Sequence, residues 1–129
     1  MKPIHALSVA AILALASADA FAAGDPVAGG KVFNKCRSCH QIGPNAKNVA
    51  GPQLNGLAGK KTGAVEGFAY SDANKNSGLT WDEATFLDYI AAPQKKIPGT
   101  KMTFAGLPDE TDRANIWAYI SQFKADGSK

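Results

Sequence analysis

Cys36-Arg37-Ser38-Cys39-His40 is the stretch on which the reading of this chain turns. Two cysteines spaced C-x-x-C, with a histidine directly after the second, put both sulfurs on one face of a helical turn and an imidazole beside them. That is the spacing at which a polypeptide forms two thioethers to one porphyrin and offers a ring nitrogen to its iron. Structural zinc wants four ligands. The only thiols and imidazoles in the chain are Cys36, Cys39, His40 and His5, and His5 lies in a segment expected to be removed. A redox dithiol would head a helix after a strand in a βαβ unit, whereas Val27 to Lys35 reads as helix. Covalent haem is the reading that uses all three residues, so one haem c is the expected cofactor.

Working outward, Met1-Lys2-Pro3-Ile4-His5 leads into an apolar run from Ala6 to Ala18 and then Ala20-Phe21-Ala22, the small-x-small pattern of a secretory signal. The run is shorter than the ~20 residues that span a bilayer. Residues 1–22 are therefore expected to be an export signal cut after Ala22, leaving 23–129 as one domain in the periplasm. The cut removes Lys2 together with Asp19, so the formal net charge of +3 is unchanged. A domain this small is near the size at which an apolar core alone is marginal and a buried cofactor supplies the missing apolar mass. Export also suits the chemistry, because attachment presents two thiols to the porphyrin in a compartment that otherwise oxidises them. No repeat, linker or low-complexity tract interrupts the chain, and no nucleic-acid partner is expected.

The rest predicts an all-α fold of helices and long loops. Asp25-Pro26 is an N-cap and first-turn pair, opening a helix with Val32, Phe33 and Cys36 on one side. Residues 41–61 are rich in Gly, Pro and Asn, with turns at Gly43-Pro44 and Gly51-Pro52, and predict a long loop able to wrap one side of the haem. Ser71 caps a short helix through Lys75. Thr80-Trp81-Asp82-Glu83 matches a capping box ahead of Phe86, Leu87, Ile90 and Ala91, and Pro93 stops that helix. A loop from Pro93 to Leu107 holds Met102. Pro108-Asp109-Glu110 opens the last helix with acidic residues at its positive end, Ile116, Tyr119, Ile120 and Phe123 form its buried stripe, and Lys124 and Gly127 close it. No run alternates with period two.

The second axial position of the iron is read by elimination. Beyond the signal, His40 is the only histidine and Met102 the only methionine. A lone methionine is usually a core gap-filler, but beside a haem motif, on a Pro- and Gly-bearing loop, it becomes the candidate ligand; a five-coordinate iron or a lysine ligand is the alternative. A soft thioether favours ferrous iron and raises the potential. With both axial positions filled, the iron changes charge rather than doing chemistry, so the protein is expected to be an electron carrier and not an enzyme. A haem peroxidase or a small-ligand sensor, each needing an open iron position, is the alternative.

Several separate stretches resemble class I cytochrome c, most closely the compact bacterial c2 group and its mitochondrial relatives. They are Phe33-Asn34-Lys35-Cys36 with the haem motif, 51–57 (GPQLNGL), 67–71 (GFAYS), Leu79-Thr80-Trp81, and 97–106 (IPGTKMTFAG). The resemblance covers essentially the whole chain after the signal and implies the cytochrome c fold. It further implies that the Pro52 carbonyl accepts from His40, that Tyr89 approaches the Met102 sulfur, and that Tyr70, Trp81 and Thr100 serve the haem propionates, with Asn74 in an internal polar network. Phe33 and Gly29 would pack against Tyr119, and Phe104 would cover the exposed haem edge. Lys60 stands where many relatives place an arginine, whose planar fork a lysine lacks. Gln94 replaces a lysine common on the docking face, and Pro108-Asp109 replaces a basic pair.

The expected role is a monomeric periplasmic shuttle, docking through the haem edge with Lys35, Lys95 and Lys101 around it. A lysine ring steers encounter with acidic partners and makes the rate fall with salt. The partners implied are membrane redox complexes: a quinol-oxidising cytochrome bc1-type donor and a terminal oxidase or photosynthetic reaction centre as acceptor.

Overall fold

Asp25 caps the first helix as its composition predicts: its carboxylate accepts from the Val27 N–H at 2.9 Å, and Pro26 occupies the first turn. The computed structural model describes residues 23–129, so the expected signal at 1–22 lies outside the described residues. In chain order the elements are α1 (Pro26–Val32), continued by a 3-10 turn at Phe33–Lys35, then α2 (Asp72–Asn76), α3 (Glu83–Ala91), α4 (Pro93–Lys96) and α5 (Glu110–Ile120).

None of these helices is long enough to be stable alone; packing holds them. The most extensive contact between elements joins α1 to α5. An ideal Cβ on Gly29 would lie 1.9 Å from the Asn115 carbonyl oxygen and 2.8 Å from Tyr119 Cβ, so only glycine permits this crossing. The Asp25 N–H donates to Asn115 Oδ1 at 2.8 Å, pinning the start of α1 to the middle of α5. Phe33, wholly buried, meets Tyr119 with ring centroids 5.3 Å apart. Around that contact Leu57, Phe86, Ile90, Leu107, Ile116 and Ile120 complete the core.

Four expectations for the boundaries are corrected. The cap of α3 is Asp82, which accepts from the Thr85 N–H at 2.8 Å, and not Thr80. Thr80 is drawn instead into an isolated antiparallel bridge with Lys61, flanked by Trp81 N–H to Lys60 O at 2.8 Å and Thr62 N–H to Leu79 O at 2.9 Å. Those pairings also qualify the expectation of helices and loops alone, although no longer strand forms among the described residues. Pro93 does end α3, but its fixed φ then starts α4, so the segment up to Leu107 is not all loop. α5 ends at Ile120 with Ser121 as its cap, and the chain turns there, so Phe123, Lys124 and Gly127 lie beyond the helix. Phe123 is nonetheless buried and packs edge-on against Tyr119 at 5.2 Å.

The long segment 41–61 is pinned by side chains. Buried Asn55 accepts from the Gly43 N–H at 2.7 Å and donates to the Gly43 carbonyl at 2.9 Å, making the loop a fixed wall. Among the described residues no helix is long and apolar enough to cross a membrane.

Candidate functional site

The backbone from Cys36 to His40 closes one turn, with the Cys39 N–H on Cys36 O at 3.1 Å and the His40 N–H on the same oxygen at 2.9 Å. This turn continues the 3-10 segment and puts both sulfurs and the imidazole against one cavity of about 390 Å³. Burial pushes the Cys36 thiol up to about 11, and neighbouring Cys39 adds to the rise. A redox dithiol works through a thiolate of lowered pKa, and burial of Cys36 acts in the opposite direction.

His40 Nδ1 lies 2.7 Å from the Pro52 carbonyl oxygen. A carbonyl only accepts, so Nδ1 carries the proton and Nε2 keeps its lone pair for a metal. Burial lowers the His40 pKa, with the Pro52 bond opposing, which favours the neutral imidazole. Gly51 makes the fit possible: a Cβ there would sit 2.4 Å from His40 Cε1.

Met102 lines the same cavity, half-buried against the core. Its sulfur accepts from the Tyr89 hydroxyl at 3.2 Å. Thr100 Oγ1 lies 3.4 Å from that hydroxyl and accepts from Asn74 Nδ2 at 2.8 Å, and Asn74 in turn takes its place from the Ser71 cap, whose Oγ accepts from the Asn74 N–H at 3.1 Å. Thr100 and Asn74, assigned to different tasks from the sequence, thus belong to one network. Tyr70 and Trp81 also line the cavity. The Tyr70 oxygen accepts from the Val65 N–H at 3.0 Å, leaving its own proton to donate. The Trp81 ring packs edge-on to Tyr89 at 5.0 Å, and its indole N–H meets no protein acceptor among the described residues. Lys60, on the cavity wall, is tied by Nζ to Asn55 O at 3.1 Å.

Of the residues named for docking, Lys35, Lys101 and Phe104 line the cavity, while Lys95 stands exposed on α4 outside its lining. Phe104 is half-buried and packs on the core. Lys101 is engaged, donating to Ala69 O at 3.2 Å. Sequence reading has Gly51 only as part of a turn and Ile116 and Ile120 only as a buried stripe; the structure puts Gly51 beneath the imidazole and makes Leu57, Ile116 and Ile120 apolar walls of the cavity. Gln94, read only as a departure on the docking face, turns its amide to the carbonyls of Thr100 and Met102. Nothing in the spacing of Gln94 marks that contact, because it bridges a helix and a loop.

The donor set fits haem c: paired thiols, a neutral imidazole, a thioether, an apolar wall and a polar end, all facing one cavity. Comparison with known proteins agrees. The family described as Cytochrome c matches residues 26–124. A relative named cytochrome c2, from Rhodoblastus acidophilus, is 77% identical over 107 residues, covering 83% of this chain and all of its own length. Among solved structures, cytochrome cH from Methylobacterium extorquens superimposes with a TM-score of 0.71 at 46% identity, covering 75% of this chain and 97% of that one. Cytochrome c2 from Rhodospirillum centenum gives 0.75 at 36% identity, covering 78% and 99%.

Proposed function

The chain belongs to the cytochrome c family and carries covalent haem c, and from that premise we propose that it is a periplasmic one-electron carrier whose iron is ligated by His40 and Met102. The observation that carries the reading is the pairing of a neutral, Pro52-anchored imidazole with a thioether that already accepts from Tyr89, both on the cavity that Cys36 and Cys39 line. Bound haem c supplies an iron couple that accepts and returns one electron, biased toward the ferrous state by a thioether ligand.

The chain's own residues do the rest. Cys36 and Cys39 hold the porphyrin by thioethers. Leu57, Phe86, Ile90, Ile116 and Ile120 keep water from it and disfavour the extra charge of the ferric state. Tyr70 and Trp81 donate to the propionates, and Thr100 does so by turning its one hydroxyl proton from Tyr89 toward them, with Lys60 close by and Asn74 anchoring Thr100. Phe104 covers the edge through which the electron passes. Lys35, Lys95 and Lys101 steer docking. Residues 1–22 act as the export signal, which the N-terminal sequence of the exported protein checks by beginning at Ala23. The donor is a quinol-oxidising cytochrome complex and the acceptor a terminal oxidase or photosynthetic reaction centre.

The test is spectroscopic. The ferric protein should be low-spin with the weak near-infrared sulfur-to-iron band, and the reduced protein should resist carbon monoxide. Missing the band at neutral pH, or binding carbon monoxide rapidly, would turn the assignment toward a peroxidase or a small-ligand sensor.

A further inference from the structure

The strap that carries Met102 is poorly held by its own backbone. Thr100 N–H donates to Ile97 O at 3.0 Å and Leu107 N–H to Ile90 O at 2.8 Å, but between them no backbone N–H of residues 101–106 donates to another backbone group among the described residues. A segment without such bonds opens at low cost unless side chains hold it. Lys101 reaches from the strap to Ala69 O, and Tyr89 reaches the Met102 sulfur. The Met102 N–H donates to Thr100 Oγ1 at 3.3 Å, but among the described residues only Gln94 grips the backbone carbonyls on both sides of Lys101: its Nε2 donates to Thr100 O at 3.0 Å and to Met102 O at 2.6 Å.

The chemistry of that grip is specific. A side-chain amide has two N–H donors on one planar nitrogen, which matches two carbonyls. Neither carbonyl has another donor among the described residues. The grip also starts from a firm base. Gln94 lies in α4 between the buried Pro93 and the buried Ile97, so the backbone beneath the exposed amide is anchored on both sides.

We propose that Gln94 is a positioning residue for Met102, clamping the Thr100 and Met102 carbonyls so that the strap holds the sulfur at the iron and resists displacement by competing ligands. The proposal rests on the reading of Met102 as an iron ligand.

The holoprotein, Gln94→Glu and Gln94→Ala test it by two readouts. Glutamate keeps the shape but replaces the donors with acceptors facing two carbonyls; alanine removes the group. Because the side chain is exposed, neither change opens the core. In both variants amide hydrogen exchange at Thr100 should quicken roughly tenfold, the size two partly exposed hydrogen bonds support, while α1 and α5 exchange as in the parent. Imidazole should bind the ferric variants correspondingly more tightly. Unchanged exchange at Thr100 in both variants, or equal acceleration in α1 and α5, overturns the clamp. A parent ferric protein without the sulfur-to-iron band overturns the ligand reading instead, and exchange at Thr100 still decides whether Gln94 holds the strap.

Discussion

The Tyr89 hydroxyl donates to the Met102 sulfur across 3.2 Å, from a helix that packs against the core on its other side. Burial raises the Tyr89 pKa above the ordinary phenol value, with Thr100 partly opposing, so the hydroxyl stays a donor through the neutral range. A donor on the sulfur draws electron density from it and weakens its support for ferric iron.

Tyr89→Phe should therefore lower the reduction potential. If the bond contributes about 1 kcal/mol, the change is on the order of 40 mV for one electron. Redox titration of parent and variant checks the sign, and a rise in potential would show that the hydroxyl serves the network through Thr100 rather than the sulfur.

Gly29 and Gly30 are neighbours with unequal tolerance. A methyl on Gly29 strikes the Asn115 carbonyl at 1.9 Å, which is backbone and cannot move aside, whereas one on Gly30 meets only the Tyr119 ring edge at 3.3 Å. Gly29→Ala should cost ~1–3 kcal/mol or more as overpacking. Gly30→Ala should cost less than Gly29→Ala, because the better helix propensity of alanine, up to ~1 kcal/mol, offsets the shift of the Tyr119 ring, which is packed against Phe33 and Phe123. Denaturant unfolding of the two holoproteins separates them.

Docking should show in salt dependence. Electron transfer to a membrane partner should slow as ionic strength rises, and Lys95→Glu should slow it more than Lys124→Glu, since Lys95 follows Gln94, which reaches the Met102 strap, whereas Lys124 lies past the end of α5. Stopped-flow rates at several salt concentrations decide this, with equal effects at both positions removing the docking face from this edge.

Rising pH should replace Met102 by a lysine amine in the ferric protein, since deprotonated amines compete well for ferric iron. Lys96 is paired with Asp88 at 3.3 Å and Lys101 with Ala69 O at 3.2 Å, while the Lys95 side chain makes no hydrogen bond among the described residues. Exposed pairs are worth only ~0–1 kcal/mol, so the preference for Lys95 is modest. The near-infrared band should fade at higher pH in Lys95→Ala than in the parent, and by a larger shift than in Lys96→Ala.

How much of this was legible beforehand varied with the range of the interaction. The caps at Asp25 and Ser71 read directly, because each is a bond between a side chain and a backbone N–H two or three residues on. The capping box at Thr80 misled, because a residue with two possible local partners was claimed by Lys61 from another segment. The end of α5 was placed late, because the apolar stripe continues through Phe123 after the helix has stopped, and burial of that ring needs only a turn against Tyr119.

By itself the sequence determined the covalent chemistry. Cys36, Cys39 and His40 fall within one turn, and beyond residue 22 Met102 is the one methionine and His40 the one histidine. The tertiary structure alone decided how the surroundings hold that chemistry: the glycine at 51 beneath the imidazole, the Asn55 pin, and the reach of Gln94 across to Thr100 and Met102. These contacts join segments that no period or cap relates. Their partners are chosen by the packing of α1 on α5 and of the loops around one cavity, which exists only once the chain has closed upon itself.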